Sequence, residues 1–270
     1  MLAPLFFSVR ARDGGSVARA LAAGAAFCAL SSAVYLVNDV LDLERDRAHP
    51  VKRRRPIASG ALSVPAALVA AAVLAAGALA AALGLGLPFT AAVVAYIALQ
   101  GLYGAWLRHV AVLDVFCIAA GFVLRVIGGA AAIGVLVSNW LYLCTLLLAL
   151  FLALAKRRAE VVLLEERAAD HRRNLADYSV AFIDQLISIV CACTVLAYAL
   201  YTVSPETVVR HGDDRLKYAI PFVLLGVFRY LYLVHVRGGA GEPELVLLRD
   251  RPLQAVLVGY LAVAAWAVYR

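Results

Sequence analysis

The sequence has 270 residues, 64% of them hydrophobic and 16% charged, with a formal net charge of +7 and a mean hydropathy of +0.87. A soluble domain carries about 45–50% apolar and roughly 25% charged residues, so this composition excludes a soluble globular fold and a disordered chain alike. The apolar residues come in runs of about twenty, the length a helix needs to cross a ~30 Å hydrocarbon layer. The runs do not alternate in polarity as barrel strands do.

Met1-Leu2-Ala3-Pro4-Leu5-Phe6-Phe7 has no basic lead-in, so it does not read as a cleaved signal peptide. It reads as the tail of a hydrophobic segment, a stub over 1–9. Membrane helices are expected at about 16–40, 63–85, 88–106, 110–133, 138–156, 179–203, 216–236 and 253–269. These are eight spans of an all-α bundle, one integral-membrane domain over 1–270. Breaks fall at Gly84-Leu85-Gly86-Leu87-Pro88, at Ser138-Asn139 and at three polar loops, about 41–62, 157–178 and 237–252. Four helices separate the first loop from the second and two the second from the third, so all three loops face one side. Cys28, Cys117, Cys144, Cys191 and Cys193 all sit in apolar runs without C-x-x-C spacing. They read as small buried hydrophobes rather than as a metal site or disulfide frame.

Charge assigns the side. The loop face holds sixteen basic residues, among them Arg45, Arg47, Lys52, Arg53, Arg54, Arg55, Arg108, Lys156, Arg157 and Arg158, against seven opposite, which include Arg10, Arg12 and Arg19. The positive-inside rule puts the sixteen in the cytoplasm of a multi-pass inner-membrane protein. The net charge is thus a property of one membrane face, and no nucleic-acid partner is expected. Topology alone does not account for the carboxylates among these cations.

The first full helix closes on Tyr35-Leu36-Val37-Asn38-Asp39-Val40-Leu41-Asp42-Leu43-Glu44-Arg45-Asp46. On a helix Tyr35, Asn38, Asp42 and Asp46 fall one turn apart on one face, with Asp39 beside them. Like charges at this spacing cost about 0.2–0.5 kcal/mol per pair, and a cation relieves them. Mg²⁺ suits the task, because it takes oxygen ligands and uses one or two carboxylates plus substrate phosphates. The alternative is a solvated helix end, although helix C-termini favour basic residues over acids. His49-Pro50-Val51-Lys52-Arg53-Arg54-Arg55-Pro56 follows, kept out of a helix by its prolines. Four consecutive cations beside the carboxylates point to a metal-bridged polyphosphate with phosphate clamps. An anionic-lipid patch is the competing reading.

Lys156-Arg157-Arg158-Ala159-Glu160 ends another helix on the same side, with Lys156 and Glu160 as i,i+4 neighbours. Glu165, Glu166, Arg172, Arg173, Asp177 and Tyr178 follow. This is either an ordinary charged loop helix or a second set facing the first across a shared cavity. Asp114 and Arg125 lie in one apolar run, eleven residues and close to three turns apart. Each costs about 2.5–3.5 kcal/mol at the bilayer centre, so they form a structural ion pair or, for Arg125, contact a substrate phosphate. Arg229, followed by Tyr230, is similar. Gly238-Gly239-Ala240-Gly241-Glu242-Pro243-Glu244, before Leu248-Arg249-Asp250-Arg251-Pro252, lets backbone approach a ligand, but Gly/Pro/Glu loops are common.

Asn38-Asp39-x-x-Asp42-x-x-x-Asp46 followed by His49-Pro50-x-Lys52-Arg53-x-Arg55-Pro56-Ile57-Ala58-x-Gly60 resembles the first aspartate motif of the UbiA family of intramembrane prenyltransferases. The similarity continues through Asp114, Gly121-Phe122-x-x-Arg125, Lys156-Arg157-x-x-Glu160, Arg229-Tyr230 and the last loop. Within the family, the Gly-Glu-Pro-Glu loop and the Lys156–Glu160 pattern look most like decaprenyl-phosphate phosphoribosyltransferases. These move phosphoribose from phosphoribosyl diphosphate (PRPP) to a polyprenyl phosphate, a cell-wall precursor step that releases diphosphate. The resemblance implies nine helices around a central cavity and Mg²⁺ as cofactor. By the same resemblance Asn38 and Asp42 hold the metal, helped by Asp39 or Asp46. The three aspartates form the catalytic set. Tyr35, Lys52, Arg53, Arg55, Arg125, Lys156, Arg157, Glu160 and Tyr178 then contact substrate. No full Asp-x-x-x-Asp stands in the second region, which counts against aromatic prenyl transfer. That activity, a polyprenyl group passed from its diphosphate to an acceptor, is the alternative. Family members begin with a basic, Trp-containing segment carrying a lysine near the donor. This sequence starts past it, so either the start lies upstream or that contact is missing. A transporter, with its site at the midplane on broken helices, fits the one-sided carboxylates less well.

Overall fold

Asp13 shows how the chain enters its first long helix. Its carboxylate accepts the amides of Gly15 and Ser16 at 3.3 and 3.0 Å, filling donors that a helix N-terminus leaves open. Those bonds hold the Asp13 carboxyl below its usual range, the Ser16 hydroxyl contributing most. In the computed structural model, which describes residues 1–48, 52–165, 178–236 and 243–269, a short helix α1 (Ala3–Phe6) and a 3₁₀ turn precede this cap. Next come α2 (Gly14–Leu41) and α3 (Leu43–Ala48). Then α4 (Val64–Leu85), α5 (Leu87–Ala105), α6 (Leu113–Ala132), α7 (Asn139–Glu165) and α8 (Val180–Val203) follow. The chain ends with α9 (Pro205–His211), α10 (Ile220–His235), α11 (Pro243–Arg249) and α12 (Arg251–Tyr269).

Eight of the described helical segments are long and apolar enough to cross a membrane, and the protein is a multi-pass integral membrane protein. At 1.5 Å per residue α2 is about 42 Å long, more than a ~30 Å hydrocarbon layer requires. Its polar end therefore need not lie in lipid. Between α4 and α5, Gly86 has φ +112°, a conformation that glycine adopts without penalty; Pro88 then sits in the first turn of α5.

The chain forms two compact units, Met1–Ala105 with Leu124–Val137, and Trp106–Val123 with Ser138–Arg270. In the first, α2 packs on α4 and α4 on α5. The seam is rich in alanine: Ala23, Ala26, Ala67, Ala78 and Ala82 are buried. Lipid is as apolar as leucine, so membrane helices associate through close packing of small residues. Phe27 caps the seam, edge-on to Phe89 and Tyr96 at 5.7 and 5.4 Å. Arg19 donates to the carbonyls of Ala132 and Leu85, both at 2.7 Å, satisfying two helix C-termini. In the second unit α7 packs on α8, and α10 on α12, around Phe151, Ile183, Ile187 and Tyr230.

Most expected spans sit within a few residues of the observed helices. The polar loops differ. The 157–178 segment is not all loop, because α7 runs on to Glu165. Hydropathy falls at Lys156, but Lys, Arg, Ala and Glu are good helix formers, so the end of the apolar run is not the end of the helix. For the same reason 41–62 contains α3 and 237–252 contains α11. At the other extreme α6 begins at Leu113 rather than 110, because Val112 takes a left-handed φ of +70°.

Candidate functional site

The acidic stripe survives the end of α2. Asp42 breaks the helix, yet its amide bonds to the Asn38 carbonyl at 2.9 Å and the Asp46 amide bonds to the Asp42 carbonyl at 2.8 Å. The one-turn spacing of Asn38, Asp42 and Asp46 is thus kept into α3. Tyr35, one turn earlier, is 67% exposed.

The basic segment folds back on this stripe. Lys52–Arg54 make one 3₁₀ turn. The Arg55 amide bonds to Lys52, Ser59 to Arg55 and Leu62 to Pro56, each at 2.9 Å, and buried Ile57 anchors the run. Arg55 Nη1 is thereby set between two carboxylates, donating to Asp39 at 2.6 Å and to Asp46 at 2.8 Å. Asp46 is 3% exposed, so it depends on that cation. Asp42 has a longer, more open ion pair with Arg45 at 3.6 Å. Arg53 and Arg54 are exposed and Lys52 is half-buried.

Among the described residues no group of three or more His, Cys, Asp and Glu side chains is arranged to hold a metal ion. Arg55 stands against Asp39 and Asp46, the carboxylates that the resemblance offers as helpers to Asn38 and Asp42 in holding Mg²⁺. Asn38 and Asp42 are still hard oxygen donors one turn apart. A Cβ on Gly104 would stand 3.9 Å from Asn38 Oδ1, so a glycine leaves open the flank of that oxygen. Two protein oxygens one turn apart suit Mg²⁺, which completes its shell with phosphate and water and does not need a cage of carboxylates.

Arg125 and Asp114 do not form the ion pair considered from their spacing. They share a face of α6, but eleven residues separate them by about 16 Å along the axis. Arg125 donates to the Tyr96 hydroxyl at 2.8 Å and to Ser31 Oγ at 3.1 Å, with its guanidinium 5.2 Å from the Tyr96 ring centroid. Gln100 donates to the same hydroxyl at 2.9 Å.

Asp114 belongs to a different cluster. It is fully buried and pairs with Arg157 of α7, itself only 6% exposed. Arg157 Nη1 also donates to Glu160 Oε2 at 2.6 Å. The Tyr178 hydroxyl donates to Asp114 Oδ1 at 2.8 Å and accepts the Val112 amide at 2.6 Å. Burial pushes the Tyr178 phenol up to about 12, the Asp114 carboxylate adding to the effect. Glu160 therefore pairs with Arg157, three residues away, rather than with Lys156, which is exposed.

Two further pairs are absent from the sequence reading. Arg158 donates to Asp184 at 2.6 Å, and His235 Nε2 lies 3.2 Å from the same oxygen. Arg229 grips Asp250 through two bonds of 3.1 and 2.7 Å, while Asp250 Oδ1 caps α12 by accepting the Leu253 amide at 2.8 Å. A lone acid in an apolar run, as Asp184 is, was the available signal. His49, Pro50, Glu166, Arg172, Arg173, Asp177 and 237–242 lie outside the described residues, as do the side chains of Glu165 and Glu244.

The profile of the UbiA prenyltransferase family matches residues 1–246. A decaprenyl-phosphate phosphoribosyltransferase of Mycolicibacterium smegmatis is 33% identical over 248 residues, covering 90% of this chain and 78% of its own. That of Mycobacterium tuberculosis is 34% identical over 243 residues, covering 90% and 79%. Among solved structures, a UbiA homolog from Archaeoglobus fulgidus bound to GPP and Mg²⁺ is similar at a TM-score of 0.69 and 18% identity, covering 95% of this chain and 90% of that one. A structure of digeranylgeranylglyceryl phosphate synthase in membranes is similar at 0.59 and 15%, covering 93% and 85%. At these identities the structural likeness speaks for the fold.

Proposed function

The chain belongs to the UbiA prenyltransferase family, and from that premise we propose that it transfers 5-phosphoribose from PRPP to a polyprenyl phosphate, releasing diphosphate. In this reading the site lies on the cytoplasmic face of an inner membrane, the side that the positive-inside rule selects. The likeness to phosphoribosyltransferases over 90% of the chain carries the choice of donor. Local chemistry supports it. Among the described residues of the second unit, Asp114, Glu160, Asp184 and Asp250 each pair with an arginine. These four described carboxylates are therefore not an idle pair for a second metal.

In the proposed reaction the bond from the anomeric carbon to the diphosphate oxygen breaks, and one to a lipid phosphate oxygen forms. The electron pair of the broken bond leaves with the diphosphate. A phosphate monoester has its second pKa near 6, so the acceptor is ionised at neutral pH and no general base is required. Asn38 and Asp42 are the residues that would hold Mg²⁺, which supplies charge stabilisation to the departing diphosphate. Arg55 keeps Asp39 and Asp46 neutralised and in place beside them. Arg53, Lys52 and Tyr35 are the proposed contacts for phosphate and sugar oxygens. Lys156 and Glu160 are the proposed substrate contacts of the second unit. Arg157, with Asp114 on one side and Glu160 on the other, braces them.

The test is donor selection. Purified protein with Mg²⁺ is given PRPP and polyprenyl phosphate, or a prenyl diphosphate and an aromatic acid. Diphosphate release with the first pair supports the proposal. Release with the second pair alone replaces it with prenyl transfer.

A further inference from the structure

The short connection into α6 contains a strained residue. Val112 has φ +70°, and a β-branched side chain rarely tolerates the left-handed region. Such a conformation persists where its surroundings over-determine it. Here the amide of Val112 is held at 2.6 Å by the hydroxyl of Tyr178, sixty-six residues away. That hydroxyl has little freedom. It donates to Asp114 Oδ1 at 2.8 Å, and the Tyr178 ring stacks on Phe182 with centroids 6.3 Å apart. Asp114 Oδ1 also accepts the Val115 amide at 2.9 Å, while Oδ2 faces Arg157.

We infer that Tyr178 is a positioning residue, a clamp that keeps Val112 left-handed and, through Asp114, sets Arg157 and Glu160, rather than a group that touches substrate. Donor and acceptor roles of the hydroxyl are both used inside the protein, and the side chain is 4% exposed. The strain explains why the clamp is needed. Without the bond to Tyr178, Val112 relaxes to negative φ, and the first turn of α6, which carries Asp114, moves with it. The kinetic part rests on the proposed function, because it takes Lys156 and Glu160 as substrate contacts. The clamp itself does not.

Glycine separates the two roles, because it takes positive φ without a clamp. Tyr178→Phe is compared with Tyr178→Phe/Val112→Gly and Val112→Gly alone. Hydrogen–deuterium exchange across 106–116 reports the backbone, and KM and kcat report the site. Tyr178→Phe is expected to speed exchange there about ten-fold. KM should rise with little change in kcat, the signature of lost ground-state binding. Adding Val112→Gly should reverse both effects. Unchanged exchange in Tyr178→Phe overturns the inference. So does a double variant whose protection returns while KM stays high, since the left-handed turn at Val112 would then not be what sets the site. If wild type turns over a prenyl diphosphate and not PRPP, the donor assignment fails alone, and the same kinetics are read with that donor. If Tyr178→Phe does not survive purification, Val112→Gly decides: Tm should rise by about 2–4 °C, and a fall overturns the strain argument.

Discussion

Arg55 and Asp46 lie 2.8 Å apart, and the same guanidinium nitrogen reaches Asp39 at 2.6 Å. This contact divides the acidic motif. Two aspartates are tied to an internal cation, while Asp42 faces Arg45 at 3.6 Å. Removing Arg55 leaves the buried Asp46 without compensation. Fully buried pairs cost about 3–5 kcal/mol to break in this way, and Arg55 is 41% exposed, so Arg55→Ala should cost about 1–3 kcal/mol after screening. Asp46→Asn in that background should recover part of the loss. Thermal unfolding in detergent reads both.

The Asp114–Arg157 pair gives a sharper contrast. Both partners are almost fully buried, and each single change strands the other charge. Asp114→Leu or Arg157→Met alone should destabilise by about 3–5 kcal/mol, whereas the double variant should come back to within about 1–2 kcal/mol of wild type. Turnover should not return with it, because Glu160 has lost its partner. A double variant as unstable as the worse single would show that the pair is not the source of the effect.

Tyr178 makes stability depend on alkaline pH. Its phenol is raised from 10 to about 12 in the fold, so the folded chain keeps a proton that the unfolded chain releases above pH 10. The associated stability is present below pH 10 and is lost as pH rises toward 12, at most about 2–3 kcal/mol. Melting curves between pH 9 and 12 should show a steeper decline for wild type than for Tyr178→Phe. Parallel declines would contradict the assignment.

The helices that cross the membrane, and the face that carries the carboxylates, were legible because both are local. An apolar run of about twenty residues measures a bilayer, and one-turn spacing puts Asn38, Asp42 and Asp46 on a stripe. Partners across helices were not legible. Arg55 reaching two aspartates, and Tyr178 reaching Asp114, depend on how each helix is rotated and at what level it meets its neighbour. The spacing that placed Asp114 and Arg125 on one face said nothing of the distance along the axis that sends them to different partners. The left-handed Val112 carries no local sign either, since glycine or asparagine is the usual signal for that conformation.

The most direct measurement is mass-spectrometric detection of a phosphoribosylated polyprenyl phosphate formed from PRPP and Mg²⁺ by wild type and by Asp42→Ala, with Tm recorded for each. The account predicts product from wild type and none from Asp42→Ala, at closely similar Tm. A folded Asp42→Ala enzyme forming product at the wild-type rate would contradict it.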